Sequence, residues 1–232
     1  MNITWLTQGG FLFEQNGRRL VIDPYMSDCL EAKGIKRLVP FPVALQALRP
    51  DALLCTHDHL DHLDPETVKW IAEAYPGCVM AGSANAHRHF LQLGLDANRC
   101  RLLRAGEPTD LAGFDLLPVG ARHSDREAIG ARISAGGKRV YLSGDTEYDE
   151  NLANNPTIKG MDLVLICING RLGNMNLDEA VRAVKRLRPK TALPMHYGLF
   201  AENTADPLPF IRECMSAGIN SFEMQPGREF SI

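Results

Sequence analysis

Apolar residues along the chain fall in short runs bounded by turn residues, with amphipathic stretches between them. Phe11-Leu12-Phe13-Glu14-Gln15 and Arg18-Arg19-Leu20-Val21-Ile22 flank Asn16-Gly17. That dipeptide suits two positive φ angles, so the spacing predicts a hairpin whose second strand ends at Asp23-Pro24. Residues 25–40 carry no firm pattern and read as loop. Asp51-Ala52-Leu53-Leu54-Cys55-Thr56 is a short apolar strand. Asp64 then caps a helix with Pro65 at its first position, running to about Tyr75 before Pro76-Gly77, and Ser83 starts another that ends near Gly94.

The second half continues in this style without a detectable repeat. Strands are predicted over 111–119, 129–134 and 139–143, the last two turned by Gly136-Gly137. Asp162 to Ile168 reads as a buried strand, and Asn176 with Glu179 forms a capping box for a helix through about Leu187, stopped by Pro189. Ala192-Leu193-Pro194-Met195-His196 returns as a strand, and Pro207 to Ala217 forms the last helix. Strands in runs with helices between them, and no linker rich in Pro, Gly or Ser, predict one layered domain over residues 1–232.

Composition narrows the function classes. The 232 residues are 45% hydrophobic and 23% charged, which is ordinary for a globular chain and argues against disorder. With 25 Lys+Arg against 28 Asp+Glu the formal charge is −3, which removes a broad basis for nucleic-acid binding. No apolar run reaches the ~18 residues of a membrane span, and the N-terminus lacks a signal peptide's pattern. The six cysteines are scattered without a C-x-x-C pair, and Cys55 and Cys167 sit in apolar runs as small hydrophobes. A soluble, reduced, cytoplasmic protein is the expectation.

The chemistry concentrates where the strand ending at Thr56 delivers the chain into His57-Asp58-His59-Leu60-Asp61-His62. Three of the seven histidines lie in this hexapeptide. In an extended segment His57, His59 and Asp61 share one face, and the turn toward the next helix aims His62 at a second ion. Imidazole and carboxylate suit Zn²⁺, Mn²⁺ or Fe, and no cysteine ligand narrows the choice. His87 and His89, two apart on a predicted helix, point in different directions and read as surface or packing residues.

This HxHxDH motif, preceded by a strand-ending Asp23, resembles the metallo-β-lactamase superfamily. Three later strand ends carry the remaining motif positions: His123 after Leu116-Leu117-Pro118-Val119, Asp145 after Val140-Tyr141-Leu142-Ser143-Gly144, and His196 after Ala192-Leu193-Pro194-Met195. The resemblance implies an α+β fold of four αβ/βα layers, with two mixed β-sheets flanked by helices. It implies two divalent metal ions, Zn or Mn: one held by His57, His59 and His123, a second by Asp61, His62 and His196, with Asp145 bridging both. Asp23 then fixes ligand geometry by hydrogen bonding, and His59, Asp61 and Asp145 are the catalytic group. Metal binding lowers the pKa of water from 15.7 to about 7, so such ions would supply a hydroxide at neutral pH and make a nucleophilic Ser or Cys unnecessary. His59 stands where diiron oxygen reductases of the superfamily carry a carboxylate, which favours hydrolysis over redox chemistry.

Ile168-Asn169-Gly170-Arg171, Gly173-Asn174-Met175-Asn176, His196-Tyr197-Gly198 and Asn203-Thr204-Ala205-Asp206-Pro207 further resemble the L-ascorbate-6-phosphate lactonase branch. That implies a small, phosphorylated, sugar-derived lactone as substrate, with Asn169, Arg171, Asn174 and Tyr197 as wall residues and Arg171 on the phosphate. The stretch between Arg171 and Gly173 is shorter than that branch carries. The plainer alternative is that the Asn-Gly and Gly-Asn pairs are turns, Arg171 a solvated charge and Asn176 a helix cap. A phosphodiesterase or nuclease with the same metals, and a non-catalytic metal-binding member, are the competing functions. The first lacks a visible basic or aromatic clamp, with aromatics at 7%. A homo-oligomer is suggested by resemblance alone.

Overall fold

In a computed structural model that describes all 232 residues, the period-two patterning sorts side chains between two cores. The first sheet takes β1 (Asn2–Trp5), β2 (Phe11–Gln15), β3 (Arg18–Ile22), β4 (Ala52–Cys55), β5 (Val79–Gly82) and β6 (Cys100–Leu102), with β13 (Glu229–Ser231) on the outer side of β1. Phe11, Phe13, Leu20, Ile22, Ala52 and Leu54 face the second sheet. The alternate residues Leu12, Val21, Leu53 and Cys55 face two helices, α1 (Pro65–Ala74) and α2 (Ala84–Gln92), through Val68, Ile71, Ala86 and Phe90.

The second sheet runs in the order β12 (Thr191–Met195), β11 (Leu163–Cys167), β10 (Lys138–Leu142), β9 (Ile129–Ala135), β8 (Phe114–Gly120), β7 (Thr109–Leu111). A short helix α3 (Glu150–Asn154), α4 (Leu177–Leu187) and α5 (Leu208–Ser216) cover its far side, burying residues such as Val184, Leu187, Phe210 and Cys214. The result is helix, sheet, sheet, helix: two mixed sheets flanked by helices, as expected.

Local chemistry explains where the elements stop. Asn16 and Gly17 take φ of 52° and 72°, and the hairpin register pairs Gln15 with Arg18. Asp64 accepts from Glu66 N and Thr67 N to cap α1, and Asn176 with Glu179 closes a complete capping box on α4. All six cysteines are free, and Cys55 and Cys167 are packed in β4 and β11.

One strand boundary differs from expectation. Residues 111–119 are not one strand: Ala112 and Gly113, at φ 55° and 89°, turn the chain so that β7 and β8 pair antiparallel. The short strands β1, β5, β6 and β13 and the helix α3 carried too few residues to show a period.

Strand direction gathers the chemistry. β3 and β4 are parallel, as are β10, β11 and β12, and β8 reaches the same direction through two antiparallel steps. Their C-terminal ends therefore open on one edge, where Asp23, His57, His123, Asp145, Asn169 and His196 follow. Backbone bonds tie the sheets together at that edge, from His196 N to Gln8 O (3.0 Å) and from Ile129 N to Thr56 O (3.1 Å).

Gly130 shows how tightly the edge is closed. A Cβ there would lie 2.6 Å from Ser143 O and 2.7 Å from Leu142 O. Those are backbone atoms that cannot swing away, so Gly130→Ala is expected to cost roughly 1–3 kcal/mol. Urea denaturation measures it, and a change under half a kilocalorie would refute the close packing of β9 on β10.

Candidate metal centre

The hexapeptide that follows β4 does not stay extended. His62 N and Leu63 N both donate to His59 O, so the chain turns at His59 and Asp61 leaves the face that was expected to hold it with His57 and His59. Two groups result. His57 Nε2 lies 3.0 Å from His59 Nδ1, which lies 3.2 Å from His123 Nε2. On the other side His62 Nε2 lies 3.2 Å from His196 Nε2, and Asp61 Oδ2 lies 3.5 Å from the same His196 nitrogen. Asp145 stands between the groups: Oδ1 is 3.3 Å from His62 Nε2, and Oδ2 is 3.1 Å from His196 Nε2 and 3.9 Å from His123 Nε2.

These donors fit a cation. Metal–imidazole bonds of about 2.0–2.1 Å in a tetrahedron place neighbouring nitrogens about 3.3 Å apart, close to the spacings found. Neutral imidazoles cannot all offer protons to one another across such contacts. Asp145 Oδ1 and His196 Nδ1 are also buried without a hydrogen-bond partner. His57, His62 and His196 are fully buried, and Asp145 is 4% exposed.

Electrostatics divide the two groups. Burial, reinforced by the like-charged rings of His62, His59 and His123, holds His57 well below its ordinary pKa, and burial lowers His59 as well. Around the other group burial works against charged rings, but carboxylates prevail. Asp145, Asp23 and Asp61 hold His62 well above its usual value, and Asp145 and Asp61 push His196 up to about 9. In return Asp145 and Asp61 are held low against the effect of burial, Asp145 by His196 and His62, Asp61 by His62 and His196.

The supporting shell is mostly legible in its contacts. Asp23 is fully buried, accepts from Thr56 N and Oγ1, and lies 2.7 Å from His62 Nδ1, which fixes that ring. Asn174 Nδ2 donates to Asp145 Oδ2 (2.8 Å) and to Asn169 Oδ1 (3.0 Å), and Asn169 Nδ2 donates to Asn203 Oδ1 (2.6 Å). The two asparagines read as substrate contacts are thus engaged behind the carboxylate they steady. Arg171 is exposed at the rim, its Nη1 donating to Glu202 O at 3.4 Å. Tyr197 turns into the core against Trp5, with ring centroids 4.9 Å apart. His89 is not an idle surface residue, since its Nδ1 pairs with Asp58 of the ligand loop, while Asp125 accepts from Asp58 N (3.2 Å) and from Asn85 Nδ2 (2.6 Å).

Gln8 and Gly9 escaped the sequence reading. Gln8 is fully buried; its Nε2 donates to Asp61 Oδ2 (2.9 Å) and lies 3.4 Å from His196 Nε2. The available signal was Gln8-Gly9-Gly10 following an apolar stretch, the same placement as the ligand loops. Thr7, Gln8, Asp23 and His196 all take left-handed backbone (φ 74°, 48°, 44° and 65°), a concentration of strain at one place.

A family model described as the Beta-lactamase superfamily domain matches residues 18–197, from before Asp23 to just past His196. A UPF0173 metal-dependent hydrolase of Methanosarcina mazei is 27% identical, covering 100% of this chain and 99% of its own length. One from Thermofilum pendens is 30% identical over 85% of this chain and 82% of its own. Among solved structures, Igni18, a metallo hydrolase from Ignicoccus hospitalis, superposes with a TM-score of 0.79 at 26% identity, covering 100% of this chain and 98% of that one.

A Cβ on Gly9 would lie 2.6 Å from His62 Cε1 and 2.9 Å from His62 Nδ1. Gly9→Ala is expected to push that ring off Asp23 and weaken metal affinity by about 10–100-fold while circular dichroism stays unchanged. Chelator competition measures this; wild-type affinity in the variant would show that the ring is free to move.

Proposed function

The chain belongs to the beta-lactamase superfamily and to its UPF0173 metal-dependent hydrolases, and on that premise we propose that it opens a small lactone or carboxylic ester using two divalent ions, Zn or Mn. The observation that carries this reading is the pair of ligand groups with Asp145 between them, four of whose residues (His59, Asp61, His123 and Asp145) line a cavity of about 470 Å³. His57, His59 and His123 would hold one ion, Asp61, His62 and His196 the other, with Asp145 reaching both. Such ions supply a Lewis acid for a carbonyl oxygen and a source of hydroxide at neutral pH.

The residues do the rest. Asp61 lines the cavity, its Oδ2 occupied by Gln8 and its carboxylate held ionised, so it accepts a hydrogen bond from the attacking water and fixes its direction. Asn174 and Asn169 hold Asp145 in place, and Asp23 holds His62. Water adds to the carbonyl carbon, the ring C–O bond breaks, and the product is a hydroxy acid whose proton passes to solvent. His59 and His123 open onto the same cavity, so an ion they held would be within reach of the substrate. A phosphate on the substrate, as the lactonase resemblance implies, would have to be met by Arg171 swinging in from the rim.

Two measurements test the reading. In a pH-stat, Zn²⁺- or Mn²⁺-loaded protein is expected to release acid from L-ascorbate 6-phosphate or an unphosphorylated lactone faster than from a phosphodiester. His59→Ala should lower that rate by roughly a thousandfold, since a Lewis acid supplies several kcal/mol of barrier reduction. Acid release undiminished in the variant would rule out this centre as the catalyst.

The second measurement concerns protons. Carboxylates raise His62 and His196, whereas burial lowers His57 and His59, so the Asp61–His62–His196 group is the one that holds a proton before an ion arrives. Loading the Asp61–His62–His196 group must therefore expel protons, and its affinity falls as the pH is lowered. Calorimetry in buffers of different ionisation enthalpy is expected to show about one to two protons released at pH 7. No release would refute the assignment of a second ion to that group.

A further inference from the structure

The cavity over the cluster has unlike sides: His59, Asp61, His123 and Asp145 belong to the ligand groups, while Leu30, Ile35, Leu172 and Phe200 make an apolar wall, with Ser124, Glu202 and Asn203 completing the lining. No lysine or arginine lines it. Leu172 is the odd member. It is 74% exposed, and its backbone is left-handed (φ 54°) although leucine gains nothing there that glycine would not supply at lower strain. It stands between Gly170 and Gly173, at φ 66° and 85°. The loop that carries it is pinned from both sides: Gly173 O lies 2.9 Å from His123 Nδ1, and Asn169 Nδ2 donates to Arg171 O (3.3 Å). A large apolar side chain is thus held out over the cavity by a strained loop anchored to a ligand histidine.

From this we infer that the wall selects an uncharged, aliphatic substituent on the substrate, with Leu172 as the residue that closes over it. The inference rests on the hydrolase reading of the same site and deepens it. A phosphate or carboxylate in that position would lose its water against Leu30, Leu172 and Phe200, with no lysine or arginine in the lining to replace it. Arg171 is not among the lining residues: it is exposed at the rim, its guanidinium donating to the Glu202 carbonyl, and it would have to leave that contact to reach an anion in the cavity. An alkyl chain has no such penalty and gains from every methylene it buries.

The test compares γ-lactones from γ-butyrolactone to γ-decalactone, together with L-ascorbate 6-phosphate, on metal-loaded protein in a pH-stat. In parallel, calorimetry follows binding of alkyl-substituted γ-lactams, whose amide rings resist hydrolysis. Both kcat/KM and lactam affinity are expected to rise about fourfold per buried methylene until the cavity is filled, with the phosphorylated ring the poorer substrate. Leu172→Gly is expected to flatten both rises, chiefly through KM, without lowering the thermal midpoint, because glycine tolerates the left-handed backbone. Chain-length independence, or preference for the phosphorylated ring, overturns the inference. Lactam binding that tracks chain length without turnover of any lactone upholds the wall and refutes the proposed hydrolysis instead. Absence of both binding and turnover refutes both.

Discussion

Ionisable side chains gathered out of water at the joined ends of two sheets set the terms for the rest of this molecule. His57, His62, His196 and Asp23 are fully buried, and Asp145 nearly so. An isolated buried charge costs several kcal/mol after relaxation, so such a group persists only where partners are supplied on every side. Here carboxylates face imidazoles across the sheet junction, and nitrogens that face one another must share a proton or a cation. The donor spacing matches what a metal ion needs, so the cluster is able to bind one.

Several costs elsewhere follow from holding that arrangement. Four residues beside the cluster adopt left-handed backbone, and Gly9 leaves room for one ring. Gly144 and Gly130 let the strand ends approach closely, since a Cβ on either would strike backbone oxygen within 3 Å. The surrounding layers make this affordable. Leu, Ile, Val and Phe side chains on both faces of the first sheet fill two separate cores, and the strands cannot shift register without exposing them. Rigidity at the ligand atoms then coexists with a more open rim, where Arg171 and Leu172 are exposed.

The elements most legible in the chain are those whose chemistry is local. Asn16-Gly17 forms a hairpin turn, Asp64-Pro65 starts a helix, and Asn176 with Glu179 caps another, because each depends on residues within four positions. The strands β5, β6 and β7 were illegible, being three or four residues long and defined only by their neighbours. Gln8 shows the same limit at the site. Its side chain reaches Asp61, 53 positions away, and nothing adjacent in the chain marks that contact. Tyr197, one position past His196, is turned into the core against Trp5, a placement that chain proximity to His196 does not reveal.

The sequence by itself determined the layered fold, the ligand types and the strand ends that carry them, since apolar alternation and the spacing of His57, His59, Asp61 and His62 are properties of neighbouring residues. Only the tertiary structure decided which ligands stand together. The turn at His59 separates Asp61 from His57, and the junction of the sheets brings His196 to His62 across 134 positions. It also decided that Asn169 and Asn174 support Asp145 and that Leu172 covers the cavity. The physical reason is direction: a sequence specifies which groups are available, but the angle at which two packed sheets meet specifies which atoms come within bonding distance.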